Sequence, residues 1–380
     1  MVASSLRDAR STPPGSWYVC GVDDIAPSWR TPAPNKASAL PRALLVLAGV
    51  CGGVAAAEPT ASTLPDLATR SAEGSAETPN IEDSLFASPT TRDHIGRVVV
   101  PVKVNGRGPF RFIVDTGANH STISPDLVRV LGLKTNTTSL MTLDGITGAA
   151  QVNYVSVDQI QTGDLTIEDT TLPVVWAPVM AGADGILGAA GMSQKSLLID
   201  FKRNQVSIAS HVESNARKQA IKVHASRVAN GLLIVEALVG GVRTQAVVDT
   251  GAERTLGNIA LRDALKQHSR SARGFVAKLT TVYGATTEVE PGEIQSAPTI
   301  SMGSLRMTDV AIVYGNFHIF KVWDMENKPA MILGMDVLGT VASLNIDFKN
   351  QDVYVASAIT GAQPWRPNAH ELNNDQSQRK

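Results

Sequence analysis

Cysteine is almost missing from this chain. Only Cys20 and Cys51 occur in 380 residues, and both precede the first core-like pattern. That excludes a disulfide-stapled scaffold and leaves no thiol nucleophile in the body of the protein. An excess of either charge is missing too: 34 Lys and Arg stand against 35 Asp and Glu, a formal net charge of −1. Nothing is basic enough to hold a nucleic acid. The 7 histidines are scattered, with no metal-ligand spacing, so neither a metal nor another cofactor is expected. Helical signals are few. Pro125 opens one over Asp126 to Leu131, with Ser124 before it, and a second covers Ile259 to Lys266.

What remains is a chain of short apolar runs separated by Gly, Asn, Asp and Thr, which reads as all-β. Hairpin turns are expected at Asn105-Gly106 and Gly240-Gly241. The runs repeat. Asp115-Thr116-Gly117-Ala118 returns as Asp249-Thr250-Gly251-Ala252, 134 residues later, each after an apolar stretch. Ile186-Leu187-Gly188 returns as Ile332-Leu333-Gly334 after 146, and Leu198-Ile199-Asp200-Phe201-Lys202 is answered by Asn345-Ile346-Asp347-Phe348-Lys349 after 147. A repeat with its parts in one order implies two copies of one fold. The second copy is 12 residues longer between its Asp turn and its Ile-Leu-Gly, and the extra length is expected around Ser269 to Lys278 or Glu288 to Ser296.

An aspartate in a Gly turn at the end of a buried strand is costly unless it is paired. Two such turns facing each other make a carboxylate pair that holds one proton between them, because both cannot ionise at ordinary cost. The ionised member can activate a water and the protonated member can polarise a carbonyl.

Apolar-apolar-Asp-Thr-Gly-Ala followed by Ile-Leu-Gly resembles the retropepsin-like aspartic peptidases, over about residues 95 to 356. The resemblance implies two tandem barrel lobes related by a pseudo-two-fold axis, with few short helices and both lobes supplied by one monomeric chain. It implies Asp115 and Asp249 as catalytic residues acting on a peptide or protein substrate. Thr116 and Thr250 would exchange hydrogen bonds across the junction, with Gly117 and Gly251 closing the turns. Ile186, Leu187, Gly188, Ile332, Leu333 and Gly334 would form the family's second signature. Flap tips are expected at Gly145, Ile146 and Thr147 and at Tyr283 and Gly284. The halves differ in that Asp336 follows Gly334 by two residues where Ala190 follows Gly188. The competing reading is a silent fold that grips peptides without cleaving them, against which two retained buried aspartates speak.

One apolar run stands apart. Arg42 precedes Ala43 to Val54, and Ala55-Ala56-Ala57 closes it. It reads as a secretory signal cut after Ala57, and is short for a membrane span of about 20 residues. A periplasmic or secreted enzyme follows, and an uncleaved membrane tether is the alternative. The expected organisation is an extension and signal over 1–57, a disordered linker over 58–92 rich in Ala, Ser, Thr, Pro and Glu, lobes over 93–210 and 220–356, and a polar tail over 357–380.

Overall fold

A computed structural model describes residues 17–19, 42–44, 49–51, 87–89, 91–92, 96–175, 180–189, 191–210, 220–227, 231–268 and 277–357. Within them the chain forms two β lobes of matching plan. Each lobe begins with the expected hairpin. Val98–Val104 returns as Arg107–Asp115 through Asn105 and Gly106, both at positive φ, and Leu233–Val239 returns as Val242–Val248 through Gly240 and Gly241, also at positive φ. Such two-residue turns need left-handed backbone at both positions, which Asn and Gly supply at little cost.

Each hairpin's second strand carries its aspartate at or just beyond its end. The Ile-Leu-Gly segments lie beside these strands: Gly185–Gly188 runs parallel to the first, Gly188 against Asp115, and Ala330–Leu333 runs parallel to the second, Leu333 against Val248. Side chains here are buried on both faces of the sheet, which is why these strands are continuously apolar rather than alternating.

The helices fall where the local chemistry puts them. Pro125–Leu131 starts under Ser124, whose Oγ accepts from the Leu127 N–H at 3.1 Å. Ile259–His268 starts after Asn258, whose Oδ1 accepts from the Leu261 N–H at 2.8 Å. Two further short helices, His318–Val322 and Met335–Leu338, carry no expectation from the sequence.

The lobes are joined by a shared antiparallel sheet. Ser196–Asp200 pairs with Ser343–Asp347, Leu198 lying directly against Asn345. These two residues are equivalent in the repeat, so the pseudo-two-fold axis passes between them. Gln205–Ala209 and Asp352–Ala356 flank the central pair, and Ala87–Pro89 and Ile221–Arg227 close the two edges. A continuous apolar core runs from the first lobe through this sheet into the second. Its burial, not any cross-link, holds the lobes together.

Two expectations need correction. The linker over 58–92 ends in structure: Ala87–Pro89 and Thr91–Arg92 are paired strands. The first lobe needs an edge strand to match Ile221–Arg227, and Ala87–Pro89 supplies it. The remainder of the linker to residue 86, the tail from 358, Ala190 and residues 269–276 lie outside the described residues. Nor does the second lobe carry its extra length at Glu288 to Ser296, which forms the flap's return strand, Val289–Ser296. Part of it falls between the Asp turn and the flap, and most of the remainder follows the turn at Gly303, in the stretch that includes His318–Val322. Among the described residues no helix is long and apolar enough to cross a membrane.

Candidate active site

The two Asp turns meet at the lobe junction, and the threonine hydrogen bonds that join them obey the two-fold. The Thr116 N–H donates to Thr250 Oγ1 at 3.2 Å and the Thr250 N–H to Thr116 Oγ1 at 3.1 Å. Each hydroxyl then donates across the junction: Thr116 Oγ1 to the Val248 carbonyl and Thr250 Oγ1 to the Val114 carbonyl, both at 2.7 Å. Four buried hydrogen bonds thus lock one turn to the other. Gly117 and Gly251 sit directly against the opposite carboxyl.

The carboxyls are fully buried. Asp115 Oδ1 accepts from the Gly117 N–H at 2.9 Å, and Asp249 Oδ1 from the N–H groups of Gly251 at 2.7 Å and Ala252 at 3.2 Å. Burial raises both groups above the ordinary carboxylate range. For Asp115 the neighbouring Asp249 raises it further, by its charge and by the hydrogen bond between them. For Asp249 the backbone donors and the bond from Asp115 pull the other way. Two such carboxyls side by side favour one proton held between them, titrating as a pair.

The second signature buttresses the turns from below. Gly188 passes under Ala118 and His120, and Gly334 under Ala252 and Arg254, so closely that a side chain on either would strike backbone. Ala189 and Met335 donate their N–H groups to the Ala118 and Ala252 carbonyls at 2.7 and 2.8 Å. Ser121 Oγ accepts from the Gly188 N–H at 3.1 Å, and Thr255 Oγ1 from the Gly334 N–H at 3.2 Å. Only the second lobe adds a carboxyl. Asp336 accepts from the Thr255 hydroxyl at 2.8 Å and the Thr255 N–H at 3.1 Å, and burial raises it.

The expected flaps are hairpin tips. Thr135–Asp144 returns as Ala149–Thr162 through Gly145 to Gly148, and Lys278–Tyr283 returns as Val289–Ser296. The tips meet over the site, where Thr147 Oγ1 and Thr286 Oγ1 lie 3.3 Å apart. Each tip then packs into the other lobe: Ile146 joins the apolar cluster of Leu232, Val247 and Ile332, and Ala285 that of Val99, Ile113 and Ile186. Tyr283 stays partly exposed.

Two participants escaped the sequence. Arg97 is fully buried, and its positive charge lowers Asp115. A lone arginine at the mouth of the run Val98 to Val100 was the available signal, since Gly231 stands at the matching place in the second copy. His318 Nε2 lies 3.2 Å from Asp144 Oδ1, tying the first flap beside its tip to a helix of the second lobe. That contact depends on added length in one lobe, which spacing alone could not place.

Two lobes sharing one buried carboxyl pair, roofed by two flaps, define the aspartic peptidase class. The sequence profile of the aspartyl protease family matches residues 100–190 and 235–337, once for each lobe, and the chain belongs to that family. Comparison with curated proteins gives no match.

Proposed function

We propose that the protein is an endopeptidase that hydrolyses peptide bonds of extended protein segments with water activated between Asp115 and Asp249. One observation carries this reading: two fully buried carboxyls from matching turns stand together in a hydrogen-bonded frame built symmetrically beneath them. A peptide carbonyl above the pair accepts the proton of the protonated member while the ionised member takes one from the attacking water. No acyl-enzyme forms. The flaps keep bulk water out and supply strand edges for the substrate backbone.

A silent peptide-gripping fold would have no use for two buried carboxyls whose repulsion costs stability. The test is digestion of a peptide library by the purified protein and by its Asp249→Asn variant. Internal cleavage by the first and none by the second supports the reading; equal cleavage by both, or none by either, rejects it.

A further inference from the structure

The roof over the carboxyls is closed. At their tips the two flaps correspond residue for residue, Asp144-Gly145-Ile146-Thr147 answering to Tyr283-Gly284-Ala285-Thr286, and the hydroxyls of Thr147 and Thr286 meet. A peptide cannot reach Asp115 and Asp249, both fully buried, until a tip lifts. Each hairpin leaves the body of its lobe short of its tip: the first is joined to Leu165–Pro173 from Tyr154 onward, and the second to Ala311–Gly315 from Glu293 onward. On that count either could lift. What holds the tips decides between them.

The first tip is held twice by the second lobe. Ile146 is wholly buried in a cluster that includes Phe317, Ile319 and Phe320. His318, between Phe317 and Ile319, sets its Nε2 3.2 Å from the carboxyl of Asp144, which is itself almost without exposure. A buried carboxylate is tolerated where it is paired, and lifting this flap would part Asp144 from His318 and draw Ile146 out of its cluster together.

The second tip has neither hold. Ala285 stands where Ile146 does, so a methyl group takes the place of a branched four-carbon side chain and less apolar surface keeps the tip down. Tyr283 stands where Asp144 does. Its side chain is 37% exposed, and its hydroxyl makes no hydrogen bond among the described residues. Leu279 and Val289 of the same hairpin are exposed as well. Segments with few buried contacts are the ones that open first.

We infer that the two flaps do different work: Ile146 and His318 fix the first against the second lobe as a standing wall of the cleft, and substrate is admitted by the second flap alone, lifting over residues 281–291. This rests on the peptidase reading above. The two-fold that builds the carboxyl pair is thus broken over it, by the stretch of the second lobe that carries His318. His318 is a positioning residue that acts through Asp144. A wall already in place spares the substrate the cost of ordering it, so only one flap has to be ordered when a peptide binds.

The experiment is hydrogen exchange on the full chain, read by mass spectrometry over residues 141–152 and 281–291. The second flap should exchange at least tenfold faster than the first, and in the Ile146→Ala, His318→Ala double variant the first should approach the rate of the second. Equal rates in the unchanged protein, or a faster first flap, overturn the inference. Kinetics on a cleaved peptide reads the positioning role: His318→Ala should raise KM at least fivefold with kcat kept within twofold, and His318→Gln, which still offers an N–H to Asp144, should recover most of the loss. An unchanged KM in His318→Ala overturns that role. Disulfides then lock each arrangement, with Cys20 and Cys51 replaced by Ser. Thr147→Cys with Thr286→Cys staples the two tips together and should abolish cleavage until reduced, whereas Asp144→Cys with His318→Cys fastens only the first flap and should keep at least half the activity. Reversible loss of activity in the second pair overturns single-flap entry, and if that pair does not cross-link the exchange rates decide. A chain that cleaves no peptide overturns the peptidase reading, while the contrast in exchange, which needs no turnover, stands or falls separately.

Discussion

Gly117 lies against the carboxyl of Asp249: a methyl group built on it would fall 2.5 Å from Oδ2, and one on Gly251 would fall 2.3 Å from Cγ of Asp115. Each turn's glycine is thus the floor on which the other lobe's aspartate rests. Gly117→Ala and Gly251→Ala should each lower kcat/KM by about 10²–10⁴-fold, the scale of a lost acid or base group, because the added carbon can only be accommodated by moving the carboxyl. Steady-state kinetics on a cleaved peptide checks this, and full activity in either variant would mean that the carboxyls are not held by these contacts.

The threonine exchange beneath them makes a separate prediction for stability. Thr116→Val strands the Thr250 N–H and the Val248 carbonyl in a dry junction, and Thr250→Val strands their counterparts. Each should cost about 1–3 kcal/mol per buried group left unsatisfied, read as a lower urea midpoint, whereas Thr→Ser at either position keeps the hydroxyl and recovers most of it.

Stability and pH are linked through the same pair. Both carboxyls are raised in the folded protein, so between the unfolded value of about 3.9 and the folded values the native state binds more protons than the unfolded chain. Stability therefore falls as pH rises through that window. Asp115→Asn and Asp249→Asn should each stabilise at neutral pH by about 1–3 kcal/mol, the scale of an uncompensated buried polar group. The gain should vanish near pH 3, where the native aspartates are protonated in both states. Thermal melts across pH test the sign; a gain that persists in acid would contradict it.

Arg97 bears on the pH profile of catalysis. Cleavage needs one proton on the pair, so its rate should follow a bell, displaced above the ordinary carboxylate range because burial raises both members. The upper limb marks loss of that last proton. Removing the positive charge that lowers Asp115 should move this limb to higher pH in Arg97→Met, while Arg97→Lys leaves it closer to its original place. A limb that stays put, or shifts downward, would show that Arg97 does not act on the pair.

Much of this site was legible because the physics that builds it is local and duplicated. A buried strand ending in Asp-Thr-Gly is unusual enough to be informative once and decisive twice, and the Asn105-Gly106 and Gly240-Gly241 turns follow from backbone sterics alone. The flap tips at Ile146 and Gly284 were legible as turns, yet their docking into opposite lobes depends on tertiary packing that no window of sequence contains. Arg97 left only the mark of a lone charge before an apolar run and His318 none, since a single charged residue has no period and its partners come from tertiary packing. The run from Ala43 to Val54 shows the reverse difficulty. Its composition suits a signal segment, and an uncharged aliphatic stretch equally suits an added strand; pairing with Thr142 to Asp144 and Thr281 to Tyr283 is a long-range contact that composition does not encode.

If Asp115 and Asp249 form one catalytic unit, the effects of removing them cannot be independent, because members of a unit are non-additive. The decisive quantity is kcat/KM on a single cleaved peptide for Asp115→Asn, Asp249→Asn and the double variant. Each single change should remove nearly all activity, and the double variant should be no worse than either. Substantial cleavage by one single variant, or losses that multiply in the double, would contradict a shared unit.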